Sequence, residues 1–187
     1  LITLEEKRMN IEKISNFARK CHQDTNCKYG TEDYFVHLSL VAGIVKEYSL
    51  VFTNPYDTDV VYAAAFCHDL IEDARVSYDT ILKISNKDVA DVVLAVTDVH
   101  AENRLMRHLL TMHKTVKDYR AIFLKLCDMY VNATYSKSHG HTMYKKYVDE
   151  YSYRKPIFTM ALGWYKPNFN QEVLNKLWEK LDEIHNT

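Results

Sequence analysis

The sequence predicts an all-α protein, and three observations carry that reading. Only four glycines and three prolines occur in 187 residues, these few breakers cluster between segments, and inside the segments apolar residues recur three or four positions apart, the spacing of one helix face. Leu4 to Cys21 comes first, with Ile11, Ile14, Phe17, Ala18 and Cys21 along one side, and the polar run HQDTNCKYG follows as a loop. Asp33 to Tyr48 reads as a second helix. Beyond Pro55, Asp57 to Asp69 reads as a third whose apolar residues nearly surround it, the pattern of a buried central helix. Ser77 and Asn86 stand where N-caps belong, before helices carrying Ile81 and Ile84, then Val89, Val92, Val93 and Val96. The periodicity weakens from Asn103 to His113 and returns strongly from Asp118 to Tyr135, where Ile122, Leu126, Met129 and Ala133 form one stripe. About three more helical stretches complete the chain. No repeat, low-complexity tract or linker interrupts it, so residues 1–187 are read as one domain.

Composition narrows the function classes. Lysine and arginine number 24 against 25 acidic residues, so no global positive field attracts nucleic acid and any anionic ligand must be gripped locally. Cys21, Cys27, Cys67 and Cys127 include no CxxC pair, which argues against a disulfide framework or zinc ribbon and for reduced thiols in a cytoplasm. The opening LITLEEKRMN is too charged for a signal peptide, and no apolar run reaches bilayer-spanning length, so no membrane association is expected. Leu1 in place of a start methionine leaves the natural N-terminus open.

Two elements carry chemistry. In AAAFCHDLIEDA, His68 and Asp69 are adjacent at the end of an apolar helix, and Glu72 and Asp73 follow within a turn. Imidazole nitrogen and carboxylate oxygen suit Mn²⁺, Fe²⁺, Mg²⁺ or Zn²⁺. His37 lies among Val36, Leu40, Val41 and Ile44, and Asp128 among Leu124, Leu126 and Val131. Singly, His37 reads as a hydrogen-bonded core residue, and Asp128 as a cap or a partner of Arg120 or Lys125. Together they form an ordered set H…HD…D on helices, and a shared metal supplies the partner that polar groups on apolar faces need.

These residues resemble a known family. Ala18 to Ile44, with its AxxxH, G, Y and H positions, followed by HDxxED and KLxDxxxN, resembles the hydrolase domain of the RelA/SpoT proteins and their small relatives. The similarity runs from about Phe17 to Thr134. It implies a compact all-α HD-domain bundle with a single Mn²⁺ site, hydrolysing the 3′-pyrophosphate of guanosine tetra- and pentaphosphate. It further implies His37, His68, Asp69 and Asp128 as metal ligands, and Glu72 and Asp73 as the acidic pair acting on the nucleophilic water, with Glu72 the better general acid/base. Asn132 and Tyr34 match nucleotide-contacting positions, and Lys28 falls near the family's basic RK pair. Where the family has proline after its first ligand this chain has Leu38, the RK pair is reduced to Lys28–Tyr29, and LADRLHN has become LCDMYVN. With no synthetase segment in these residues, the expectation is a small hydrolase rather than a long bifunctional enzyme.

Arg104 and Lys125 are further candidates for phosphate contacts, against a reading as helix-surface ion pairs. His100, His108, His113, His139 and His141 lack the spacing of the ligand set, the last two reading as loop residues. MYKKYVDEYSYRK reads as an amphipathic helix with snorkelling lysines more than as a stacking surface. VLNKLWEKLDEI reads as a packing helix or a dimer face, leaving a homo-oligomer open. Two other functions stand beside the alarmone hydrolase: an HD phosphohydrolase of another nucleotide, and a catalytically silent, metal-stabilised binding module.

Overall fold

Apolar side chains on every side of the third segment put it at the centre of a helical bundle. In the computed structural model, which describes residues 9–186, this segment is α3 (Pro55–Cys67). It buries Val60, Val61, Ala63, Ala64, Ala65, Phe66 and Cys67 against α1 (Ile11–Asp24), α2 (Phe35–Glu47), α6 (Lys87–Val96) and α8 (Tyr119–Ser138). The short α4 (Leu70–Asp73) and α5 (Tyr78–Ile84) join α3 to α6, and α7 (Arg104–Thr115) leads into α8. After α8 come α9 (Met143–Trp164), a 3₁₀ turn at Lys166–Asn168 and α10 (Gln171–His185).

Helix starts are set by side-chain caps. Asn10, Asn54, Ser77, Asn86, Asn103, Asp118 and Asn170 each accept a backbone N–H from the first turn, a contribution of about 1 kcal/mol apiece. The cap at Asn103, accepting from Met106 N at 2.9 Å, helps to explain why 104–115 is helical although its apolar periodicity is weak.

The structure departs from the sequence reading at three places. The first helix begins at Ile11 and runs to Asp24, taking His22 from the expected loop; the expected start at Leu4 lies outside the described residues. The rest of that loop forms a hairpin, β1 (Lys28–Tyr29) paired antiparallel with β2 (Glu32–Asp33), too short to show alternation in sequence. Gly30 turns it at φ +62°, the left-handed region that favours glycine, and a Cβ there would press on the Tyr135 hydroxyl. Finally, α3 stops at Cys67, two residues early, which releases His68 and Asp69 into the junction with α4.

All four cysteines are free, Cys67 and Cys127 buried. Among the described residues no helix is long and apolar enough to cross a membrane. The core centres on α8, where Phe123 is fully buried and meets Phe52 edge-on at 5.1 Å. Phe123→Ala is expected to cost about 3–5 kcal/mol of stability, read as a lower urea midpoint at unchanged slope.

Candidate metal centre and cleft

Three helical elements deliver four side chains to one point. His37, in the first turn of α2, and His68, capping α3, are both buried, and their Nε2 atoms stand 3.2 Å apart. Asp69 Oδ2 lies 2.9 Å from His68 Nε2 and 3.4 Å from His37 Nε2. From α8, Asp128 Oδ1 lies 3.4 Å from His37 Nε2 and 3.7 Å from His68 Nε2. Donor atoms of His37, His68 and Asp69 all fall within 4.8 Å of one another.

This arrangement passes the test for a cation site. His68 Nδ1 lies 2.9 Å from Ala65 O; donating there, the neutral ring aims its Nε2 lone pair at His37. His37 Nδ1 is buried without a hydrogen-bond partner, so the 3.2 Å contact is bridged by a proton on His37 Nε2 or by a cation between the rings. The charges agree. Burial works against ionising Asp69 and Asp128, yet the imidazoles, and for Asp128 above all Lys125, hold both carboxyls well below the usual range. Burial likewise opposes charge on His68, and the two carboxylates raise it well above an ordinary imidazole. A nitrogen and oxygen donor set that draws positive charge is the environment a divalent cation answers.

Neighbours hold the carboxylates in place. Tyr34 Oη donates to Asp69 Oδ2 at 2.7 Å, with its ring stacked on buried His22 at 4.6 Å. Lys125 Nζ donates to Asp128 Oδ2 at 2.9 Å, and Asn132 Nδ2 to Asp128 Oδ1 at 2.6 Å. Three side chains expected to touch substrate are therefore engaged with the metal-centre carboxylates.

The cluster opens into a cleft of about 390 Å³. Glu72 and Asp73, ending α4, stand on its rim. Glu72 keeps contact with solvent while the protein around it pushes its carboxyl up to about 7; Lys125 and the Asp98 amide oppose the shift. Burial, followed by the charge on Asp69, raises Asp73 as well. The lining also holds Arg104, Arg107, Lys125 and Arg154. Their field is registered by His108, which burial and these four cations push down to about 3. Arg104 donates to Glu150, which also pairs with Arg154 at 3.3 Å.

Lys28 is exposed on β1 and absent from the cleft lining; its neighbour Tyr29 lines the cleft instead, since adjacent strand residues point to opposite sides. Sequence reasoning missed Tyr29, Asp98, Arg107, His108, Tyr147, Glu150 and Arg154. The available signals were Arg107 three residues after Arg104, and Tyr147, Glu150 and Arg154 at i, i+3 and i+7 within MYKKYVDEYSYRK. The segment's lysines dominate its pattern in sequence, whereas Tyr147, Glu150 and Arg154 are the residues it turns to the cleft.

An all-α bundle that gathers a histidine, an adjacent His-Asp pair and a distant aspartate is an HD-type hydrolase architecture. The chain belongs to the HD domain family, whose profile matches residues 15–152. The probable guanosine-3′,5′-bis(diphosphate) 3′-pyrophosphohydrolase of Synechocystis sp. is 29% identical over 122 residues, covering 60% of this chain. The chain spans about 15% of that relative's length. A solved metazoan ortholog of SpoT, described as hydrolysing ppGpp and playing a role in starvation responses, has the same fold. It matches with a TM-score of 0.70 at 24% identity, over 94% of this chain and 93% of that one.

Proposed function

We propose that residues 1–187 form one metal-dependent phosphohydrolase domain that removes pyrophosphate from guanosine 3′-pyrophosphates, with Mn²⁺ held by His37, His68, Asp69 and Asp128. The observation that carries the reading is that one cleft holds both a cation-seeking centre and four basic side chains, Lys125 on Asp128 and the three arginines in ion pairs with Asp98 and Glu150. Such a site suits a substrate with more than one anionic group. The two relatives described as 3′-pyrophosphohydrolase or ppGpp hydrolase support this choice of substrate.

When bound, the cation would lower the pKa of a water molecule and offset charge building on the phosphoryl oxygen. The protein's own groups do the rest. Glu72, with its carboxyl near 7, takes the water's proton, and Asp73 beside it orients that water. Tyr34 and Asn132 keep Asp69 and Asp128 in place and present their remaining surfaces to the nucleoside, while Tyr29 offers a ring face to the base. Arg104 grips phosphate oxygens bidentately, and Lys125 adds a point charge.

Purified protein with Mn²⁺ is tested on guanosine tetraphosphate, common nucleoside triphosphates and NADPH, with products separated. Intact pyrophosphate from guanosine tetraphosphate is expected. Release of phosphate or triphosphate from ordinary nucleotides, with guanosine tetraphosphate untouched, transfers the assignment to a different nucleotide. The thinned basic pair at Lys28–Tyr29 favours that second reading. No turnover of any nucleotide, with metal retained, would leave a binding module.

The basic wall has its own expected result. Hydrogen bonds to charged groups are worth about 1.5–3 kcal/mol, so Arg104→Ala should raise KM by roughly 10- to 150-fold and change kcat little. Lys28→Ala, off the cleft lining, should raise it less. Initial-rate kinetics on both variants check the order, and a larger effect at Lys28 reverses the assignment.

A further inference from the structure

Helix α7 is amphipathic the wrong way round for a monomer. Apart from buried Met112, its inward face is polar: Thr111 Oγ1 accepts from Val99 N at 3.0 Å, Thr115 Oγ1 donates to Ala95 O at 2.8 Å, and His108 meets the Tyr153 hydroxyl at 2.8 Å. On the same side, Arg107 pairs with Asp98 and Arg104 with Glu150. Its outward face carries Leu105, Met106, Leu109 and Leu110, which are 51%, 44%, 39% and 45% exposed. A surface helix ordinarily turns its apolar stripe inward. The other exposed large apolar residues stand singly, as Leu40 and Leu50 do, or as the pair Met160 and Trp164 at the end of α9, and scattered apolar residues need no explanation. A contiguous stripe does.

We propose that this stripe is the contact surface for a second copy of the chain, with two α7 helices packed antiparallel about a two-fold axis. The ends of the stripe choose the occupant and the direction. Exposed Glu102 precedes the N-cap, and exposed His113, followed by Lys117, continues the stripe at the other end. Antiparallel pairing sets Leu105 of one copy opposite Leu110 of the other and Met106 opposite Leu109. It also brings each Glu102 to the basic end of its mate, whereas parallel pairing would set like charges together. Such a patch is self-complementary, as an isologous interface requires. A membrane surface suits it less, because the basic residues along this helix are tied down within the fold, Arg104 to Glu150, Arg107 to Asp98 and Lys114 to Leu94 O, and not held ready for lipid headgroups. Four side chains fall short of the roughly 800 Å² per partner of a standard interface, so the dimer is weak and concentration-dependent.

Sedimentation equilibrium of the full chain should show the average mass rising with concentration from 22.0 kDa toward twice that value. Leu109→Glu, counted twice across the axis, should weaken association by about a hundredfold or more while leaving the circular dichroism spectrum and melting temperature near wild type. Glu102→Lys should weaken it too, and adding His113→Glu to that variant should restore it. A wild-type chain that stays monomeric at about 0.5 mM, or a dimer indifferent to Leu109→Glu, overturns the proposal. So does a monomer that pellets with phosphatidylserine vesicles through Leu109, which would reassign the stripe to a lipid surface.

Discussion

Asp128→Ala is expected to abolish divalent-metal binding and, with it, activity. The carboxylate comes from α8, whereas His37 and the His68–Asp69 pair come from α2 and the α3–α4 junction, so a cation there ties three parts of the bundle together. By mass action, metal at about 100 times its dissociation constant adds about 2.7 kcal/mol, roughly 5–11 °C in melting temperature for a domain of this size. Chelation should remove that increment from the wild type and nothing from the variant. Asp128→Ala also carries its own penalty, because it strands Lys125, whose partner at 2.9 Å is lost. The chelator-dependent difference, measured within each protein, separates the two effects. Equal chelator shifts in both proteins, or stoichiometric Mn²⁺ retained by the variant, would remove Asp128 from the ligand set.

How much of this was legible beforehand depended on which polar residues stood out against their surroundings. His37 and Asp128 interrupt apolar helix faces, and His68–Asp69 follows a helix whose second half is buried on nearly every side, so their convergence could be anticipated from the cost of burying polar groups unpaired. The basic wall could not. Arg107, Glu150 and Arg154 sit in segments rich in charge, where a residue turned into a cleft looks like any solvated neighbour, and only the packing of α7 and α9 beside α8 selects them. Tyr34 and Lys125 illustrate a finer limit. Sequence position marked them as near the site, but whether they meet a ligand carboxylate or a substrate depends on ångström-scale placement, here 2.7 Å and 2.9 Å from Asp69 and Asp128. The hairpin at 28–33 escaped because its two-residue strands are held by tertiary contacts, the Tyr135 hydroxyl on Tyr29 O among them, rather than by any local pattern.

Glu72→Gln should separate chemistry from metal binding. The side chain lines the cleft with Oε1 accepting the Asp98 amide at 2.5 Å, is not among the clustered donors His37, His68 and Asp69, and glutamine preserves that acceptor. Metal content and its chelator-sensitive melting shift should therefore persist while kcat falls by about 10²–10⁴, the usual worth of a general base. The pH dependence gives a second handle. With its carboxyl near 7, Glu72 is the competent base only above that value, so wild-type kcat/KM should climb with pH through about 7 and level off, and this limb should vanish in Glu72→Gln. Stability runs the other way. A carboxyl whose folded-state pKa is raised from 4.5 to about 7 contributes stability below its unfolded value, and that contribution is lost as pH rises through 7. Glu72→Gln, which cannot ionise, should thus be at least as heat-stable as the wild type at pH 8 despite being nearly inactive. Asp73→Asn should keep the metal and lose turnover as well. Loss of metal in parallel with activity in either variant would place that carboxylate among the ligands and leave the proton transfer without its residue.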